Sequence, residues 1–300
     1  MLSTSFKPCD RRHRRIRSGV VAVAGAVALV MALGYTAAPM AGAMPMPQGG
    51  TGAHIAAPHL LKPRTPHAPR AVIPGPLIDH GGGVETAPEV FVVFWGWTAD
   101  PSGEQPYITQ FLSSVAGSSW LTTVNQYGGA GSNITFGGTF SDPTPIPASP
   151  SDAQIQQEAL NAANHFGTDN SANVQIVVAT PTGHSTPGFG TQFCAYHGDV
   201  AADPNITYTN MPYVTDAGAG CGEDSVNGGN GTLDGVSIVE GHELAEAITD
   251  PSLNAWFDAQ GNEIGDKCAF VNLANITTSA GTFAVQPLWS NNANDCVLSS

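Results

Sequence analysis

Gly241-His242-Glu243-Leu244-Ala245-Glu246-Ala247-Ile248-Thr249-Asp250-Pro251 reads as a helix able to hold a metal ion, and the rest of the fold is read outward from it. In the H-E-x-x-H signature, two histidines four residues apart share a helix face and the glutamate after the first activates a water on the metal. Here Glu246 stands in the second histidine's position, giving H-E-x-x-E. At about 100° per residue, His242, Glu246, Thr249 and Asp250 fall on one stripe, with Glu243 a quarter-turn to its side. The competing reading is a helix that carries acids near its start because the macrodipole favours them there. Against it, Val236, Ile238 and Val239 lead into the motif, and Leu244, Ala245, Ala247 and Ile248 surround its ionisable groups. Little of such a helix is left to face water, and burying three ionisable side chains is costly unless they bind something or one another. Pro251 ends the helix, since the residue before proline avoids the helical region.

Two elements can complete the site. Asn262-Glu263-Ile264-Gly265-Asp266-Lys267-Cys268 supplies carboxylates downstream of the helix, where a zincin takes its third ligand. Asp266 is the first choice and Glu263 the substitute; the alternative is a turn in which Asp266 caps backbone amides. His197, close to Cys194, is a further ligand or oxyanion stabiliser, or else a hydrogen-bonded, partly buried histidine. Zinc is the expected ion, but two carboxylates and one imidazole form a harder set than two histidines, which admits manganese or calcium. On this reading His242, Glu246 and Asp266 hold the ion. Glu243 then passes a proton from water to the leaving amine. The added anionic ligand makes bound water less acidic, which counts against vigorous hydrolysis and leaves a structural ion as the alternative to the metallopeptidase expected first.

The flanking sequence predicts an α/β or α+β fold with a mixed sheet, flanking helices and disulfide-stapled loops. Val90 to Trp97 is a short apolar run rich in β-formers, and Val174 to Ala179 is another. Ile134 to Phe140 alternates as a strand. Ile108, Phe111, Leu112 and Val115 have helical spacing, with Gly117 as a stop. Ser151 and Gln154 form a capping box ahead of Ile155, Ala159, Ala162 and Phe166. Cys194 to Asp234 reads mostly as loop around a strand at Ile206 to Val214.

The chain divides into a signal peptide at 1–43, a Pro/Ala-rich linker or pro-segment at 44–80 and one globular metallopeptidase-like domain at 81–300. The leader has a basic n-region at 11–17, an apolar stretch from Val20 to Leu33 and small residues at 41–43. That stretch falls short of the roughly 20 residues that cross a bilayer, so cleavage is expected rather than anchoring. Of ten Lys and Arg residues, only Lys267 lies beyond Arg70, and the net charge is −14. So acidic a domain repels nucleic acid and anionic membranes, which excludes both as partners, and it is expected to be a monomer. Once Cys9 leaves with the leader, four cysteines remain. An even number in an exported chain implies disulfides; of three connectivities we favour Cys194–Cys221 with Cys268–Cys296.

Five segments together resemble the EXORDIUM / phosphate-induced protein 1 family of secreted plant proteins and its bacterial relatives. They are V-V-F-W-G (92–96), F-C-A-Y-H (193–197), L-D-G-V-S-I-V-E-G-H-E-L-A-E-A-I-T-D-P (233–251), N-A-W-F-D (254–258) and N-E-I-G-D-K-C (262–268), and the likeness runs over about residues 88–298. The resemblance implies secretion and, from plant members, association with the extracellular matrix and growth responses. Three functions follow from the residues and the resemblance together. One is a secreted zinc metallopeptidase acting on extracellular protein or peptide. Another is a non-catalytic matrix or cell-wall protein with a structural metal, or with Trp95, Trp97, Trp256 and Trp289 binding polymer. The third is a hydrolase of another wall bond that uses the same metal.

Overall fold

The computed structural model describes residues 61–63, 71–168 and 173–299. The expected signal peptide and most of residues 44–70 lie outside them. In chain order the elements are β1 (Ile78–Asp79), β2 (Glu89–Trp95), α1 (Glu104–Leu112), β3 (Thr135–Asp142), α2 (Asp152–Phe166), β4 (Val174–Ala179), β5 (Tyr196–Val200), β6 (Asp203–Met211), α3 (Asp234–Thr249), β7 (Trp256–Phe257), β8 (Ala274–Thr277), β9 (Thr282–Val285), β10 (Leu288–Ser290) and β11 (Asp295–Val297). Short 3-10 turns fill several connections, among them Leu121–Tyr127 and Asp266–Cys268.

The mixed α/β fold is built on a five-stranded sheet of order β3-β2-β4-β6-β5, parallel except for β5, which runs antiparallel to β6. Parallel strands covered on both faces read as continuous apolar runs, which is why β2 and β4 are legible. In β2, Val90, Val92 and Phe94 share a core with Phe111 of α1 and Val239 and Leu244 of α3. The alternating residues Phe91, Val93 and Trp95 pack with Ile155, Ala159 and Ala162 of α2. The sheet thus separates α2 from the layer that carries α1 and α3.

Helix α2 begins at the capping box expected for it, with the Ser151 amide donating to Gln154 Oε1 at 2.9 Å. Two expectations need correction. Tyr196–Val200 forms strand β5 where loop is expected. Its Gly198 and Asp199 break the apolar pattern, and its backbone is held instead by register with β6, Tyr196 facing Asn210 and His197 facing Thr209. The boundary at residue 81 also falls too late. Leu77 is buried, β1 pairs with β7, the Ile73 amide donates to the Lys267 carbonyl at 3.1 Å, and the Cys194 amide donates to the Leu61 carbonyl at 2.7 Å. These described parts of the Pro/Ala-rich segment belong to the packed fold.

Both disulfides join the expected partners, Cys194–Cys221 and Cys268–Cys296, across separations of 27 and 28 residues. Loop-closure entropy for such spans is worth roughly 3 kcal/mol each. Reduction is expected to lower the urea midpoint accordingly, while non-reducing peptide maps recover only these two pairs; a Cys194–Cys268 peptide would contradict the packing.

Glu158 of α2 is buried beside Asp142 at the end of β3. Burial, and then the Asp142 charge, lift its carboxyl from an ordinary 4.5 to about 7, although Asn161 donates to it. The folded state therefore holds a proton that the unfolded chain releases, and stability falls as pH rises from about 4.5 to 7. Glu158→Gln is expected to be nearly neutral at pH 4 and stabilising by about 1–2 kcal/mol at pH 8, read from urea midpoints at both. Equal midpoint shifts at the two pH values would show that the pair carries no such charge.

Candidate metal centre

Helix α3 is buried along its whole length, from Asp234 to Thr249. Such a helix has no solvated face, so its ionisable residues must find partners inside the protein. At its C-terminal cap, the Asp250 carboxylate accepts from the amides of Asn254 and Ala255, both at 2.6 Å. Asp250 thereby shapes the chain reversal that brings residues 263–266 back against the helix. Its place on the ligand stripe, expected from helical spacing, gives way to this role.

His197, His242, Glu243, Glu246, Glu263 and Asp266 converge. His197 arrives on the edge strand β5, set by its pairing with Thr209 and by the Cys194–Cys221 bridge. Its Nδ1 lies 3.2 Å from Glu243 Oε2 and 3.7 Å from Glu246 Oε2, while its Nε2 is 3.6 Å from Glu263 Oε1 and 3.3 Å from the Asp250 carbonyl oxygen. His242 Nε2 is 3.0 Å from Glu246 Oε1 and 3.8 Å from Asp266 Oδ1. Glu246 Oε1 also accepts from the amides of Gly265 and Asp266, at 3.2 and 3.0 Å. Two ligand triads result, His197/Glu246/Glu263 and His242/Glu246/Asp266, each with donor atoms within 4.8 Å of one another.

Five of these six side chains are fully buried, and only Asp266 keeps some exposure, 18% of its side chain. Neither ring nitrogen of His242 makes a directed hydrogen bond among the described residues, nor do Glu243 Oε1 and Glu246 Oε2. Buried polar atoms are nearly always paired, so these four mark a place built for something beyond the chain's own atoms.

The electrostatics of the cluster are set by burial and by the charges that face one another. Burial pulls both imidazoles down. It is outweighed at His197 by the Glu263 and Glu243 carboxylates and at His242 by Glu246 and Glu243, which push each ring up to about 10. Burial raises Glu243, opposed by its hydrogen bond with His197 and by the charge of His242. The sequence reading passes over Glu240, whose two oxygens are buried without a hydrogen-bond partner among the described residues, and which burial and then Glu243 hold well above the carboxylate range. Its signal is the i, i+3, i+6 series Glu240–Glu243–Glu246. Glu85 is also missed. It accepts from Gln175 and Thr207 in the core, and burial lifts it to about 7 while the His197 charge works to lower it. Nothing in the sequence around it announces that role.

Trp289 and Trp95, candidates for polymer binding, are 1% and 7% exposed and serve the core. Trp97 and Trp256 are half-buried, engaged with Tyr213 and Tyr127.

Fold and cluster together define a disulfide-stapled α/β protein with a buried histidine–carboxylate centre. The chain is similar to Protein EXORDIUM-like 5 of Arabidopsis thaliana, at 26% identity over 220 residues that cover 60% of this chain. It spans 59% of the length of that curated relative. No family model and no solved structure matches. The disulfides and this EXORDIUM-like relative fit an extracellular protein, and no described helix is long and apolar enough to cross a membrane.

Proposed function

We propose that the chain is a non-catalytic, extracellular EXORDIUM-like protein whose buried cluster holds a structural divalent cation. The observation that carries this reading is the burial of the donors together with the four polar atoms that have no directed partner. His242, Glu246 and Asp266 are the holding residues, and zinc, manganese and calcium all suit a set of one imidazole and two carboxylates. A divalent cation there supplies charge neutralisation and Lewis acidity. The chain's own residues do the rest: Glu246 ties α3 to the amides of Gly265 and Asp266, and His197 ties β5 to the helix. Extracellular proteins, peptides or wall polymers are then met on the outer surface, away from the cluster.

A peptidase or other hydrolase is the second reading, favoured by one observation: Glu243, in the position of a zincin base, lies beside the Glu246 ligand and against His197. A base must reach the proton it takes, and Glu243 is fully buried with Oε2 turned toward His197, which weighs against it. Metal analysis, thermal melts with and without chelator, and a peptide-cleavage panel separate the two. The structural reading expects bound metal, a lower Tm after chelation and no chelator-sensitive cleavage in the wild type, with Glu243→Gln losing stability. If the wild type instead cleaves peptides, and Glu243→Gln keeps ion and fold while turnover falls about 10²–10⁴-fold, the hydrolase reading wins.

A further inference from the structure

We propose that the cluster is a binuclear centre: two divalent cations, one in His197/Glu246/Glu263 and one in His242/Glu246/Asp266, bridged by the carboxylate of Glu246. This rests on the cation reading above and extends it from one ion to two.

The geometry of Glu246 carries the inference. Its two oxygens face different ligand sets. Oε1 is 3.0 Å from His242 Nε2, on the side of Asp266, and is steadied there by the Gly265 and Asp266 amides. Oε2 points the other way, 3.7 Å from His197 Nδ1, and has no hydrogen-bond partner among the described residues. A carboxylate that binds one ion has no need to aim its second oxygen, fully buried and without a partner, at a second imidazole and a second carboxylate. Each triad also has its own histidine and its own downstream carboxylate, and only Glu246 is shared.

Charge points the same way. Glu243, Glu246, Glu263 and Asp266 bring four formal negative charges into one region, three of them on fully buried side chains. One divalent cation together with the other, unligated imidazolium leaves one of these charges uncompensated; two cations, with both imidazoles neutral as ligands, leave none. Uncompensated buried charge is costly enough that the second ion has a clear thermodynamic role. The elements joined explain the arrangement. The first triad connects β5, α3 and the 263–266 segment, and the second connects α3 to that segment alone, so two ions cross-link three stretches far apart in sequence.

The decisive measurement is the number of ions and their magnetic coupling. The purified protein is loaded with Mn²⁺, freed of unbound metal by gel filtration, and analysed for manganese per chain and by electron paramagnetic resonance; a parallel sample is loaded with Zn²⁺. Two ions per chain are expected, with an exchange-coupled manganese spectrum transmitted by the shared carboxylate. His197→Ala and His242→Ala should each lower the count to one and restore the six-line signal of an isolated ion, and Glu246→Ala should remove both. One ion per chain, with an uncoupled spectrum in the wild type, overturns the binuclear centre while leaving the single-cation reading standing. No retained ion of either metal overturns both. If a histidine variant does not fold, judged by circular dichroism, the wild-type count and spectrum decide the question alone.

Discussion

Lys267→Ala is expected to destabilise the protein by about 3–5 kcal/mol, the usual cost of removing one partner of a buried ion pair. The only basic residue beyond Arg70 is fully buried. Its ammonium lies 3.3 Å from Asp258 Oδ2, donates to the Pro74 carbonyl at 3.4 Å, and sits 4.3 Å over the Trp289 ring. Asp258 in turn accepts from the amides of Gln260 and Asn262 and from the Asn262 side chain. Those donors and Lys267 outweigh burial and hold its carboxyl below the ordinary range. Truncation leaves a covered carboxylate without its counter-ion and uncovers the indole. At about 2–4 °C per kcal/mol for a chain of this size, Tm should fall by roughly 6–20 °C. Lys267→Met restores packing but not charge and should recover only part of the loss. The double variant Asp258→Asn/Lys267→Met should be closer to wild type than either single change, because it leaves no isolated buried charge whereas each single change does. Additive losses in that cycle would show that the two side chains are independent and that the pair is not what holds the region.

The fate of Lys267 shows where sequence reading stops. A lone lysine in an acidic domain reads as a solubility residue, and nothing local distinguishes it from one. Burial is imposed by Pro74 and Trp289, which are distant in sequence. The same limit applies to β5, whose Gly198 and Asp199 erase the alternation that identifies a strand, so that only its pairing with β6 defines it. By contrast β2, β4 and α2 are legible because continuous apolar runs and a capping box are local signals. Five of the six cluster residues, all but His197, are legible for a chemical reason. Ionisable side chains set among apolar neighbours on one helix, and carboxylates just beyond it, must be compensated, and that requirement is visible without coordinates. What the sequence could not convey is the sharing. The two faces of Glu246, the turn held by Asp250 and the depth of Glu240 depend on how three separate segments close on one another.

On the proposed cation reading, Gly265→Val is expected to remove the metal and destabilise the fold together, and the reason is space rather than backbone freedom. Gly265 has φ −80° and ψ −44°, a conformation open to any residue. A β-carbon there would stand 2.6 Å from His242 Nδ1, 2.8 Å from His242 Cγ and 2.9 Å from Glu246 Oε1. Neither neighbour has room to retreat: His242 is fully buried, and Glu246 is fixed by the amides of Gly265 itself and Asp266. The segment cannot simply swing away, because the Gly265 carbonyl accepts from Gln286 Nε2 at 2.8 Å and Cys268 is bridged to Cys296. Overpacking a closed site costs about 1–3 kcal/mol. The stabilisation contributed by bound ion, about 4 kcal/mol when the ion stands at a thousand times its Kd, is lost in addition. The combined fall should be visible in thermal melts run with metal present, and it should shrink to the overpacking part alone when wild type and variant are compared in chelator. Gly265→Val/His242→Ala separates the two contributions further: removing the imidazole opens the space and should recover stability measured in chelator, while metal content stays low. If Gly265→Val instead retains wild-type metal and Tm, the His242 ring does not pack against this backbone and the ligand set built on it fails.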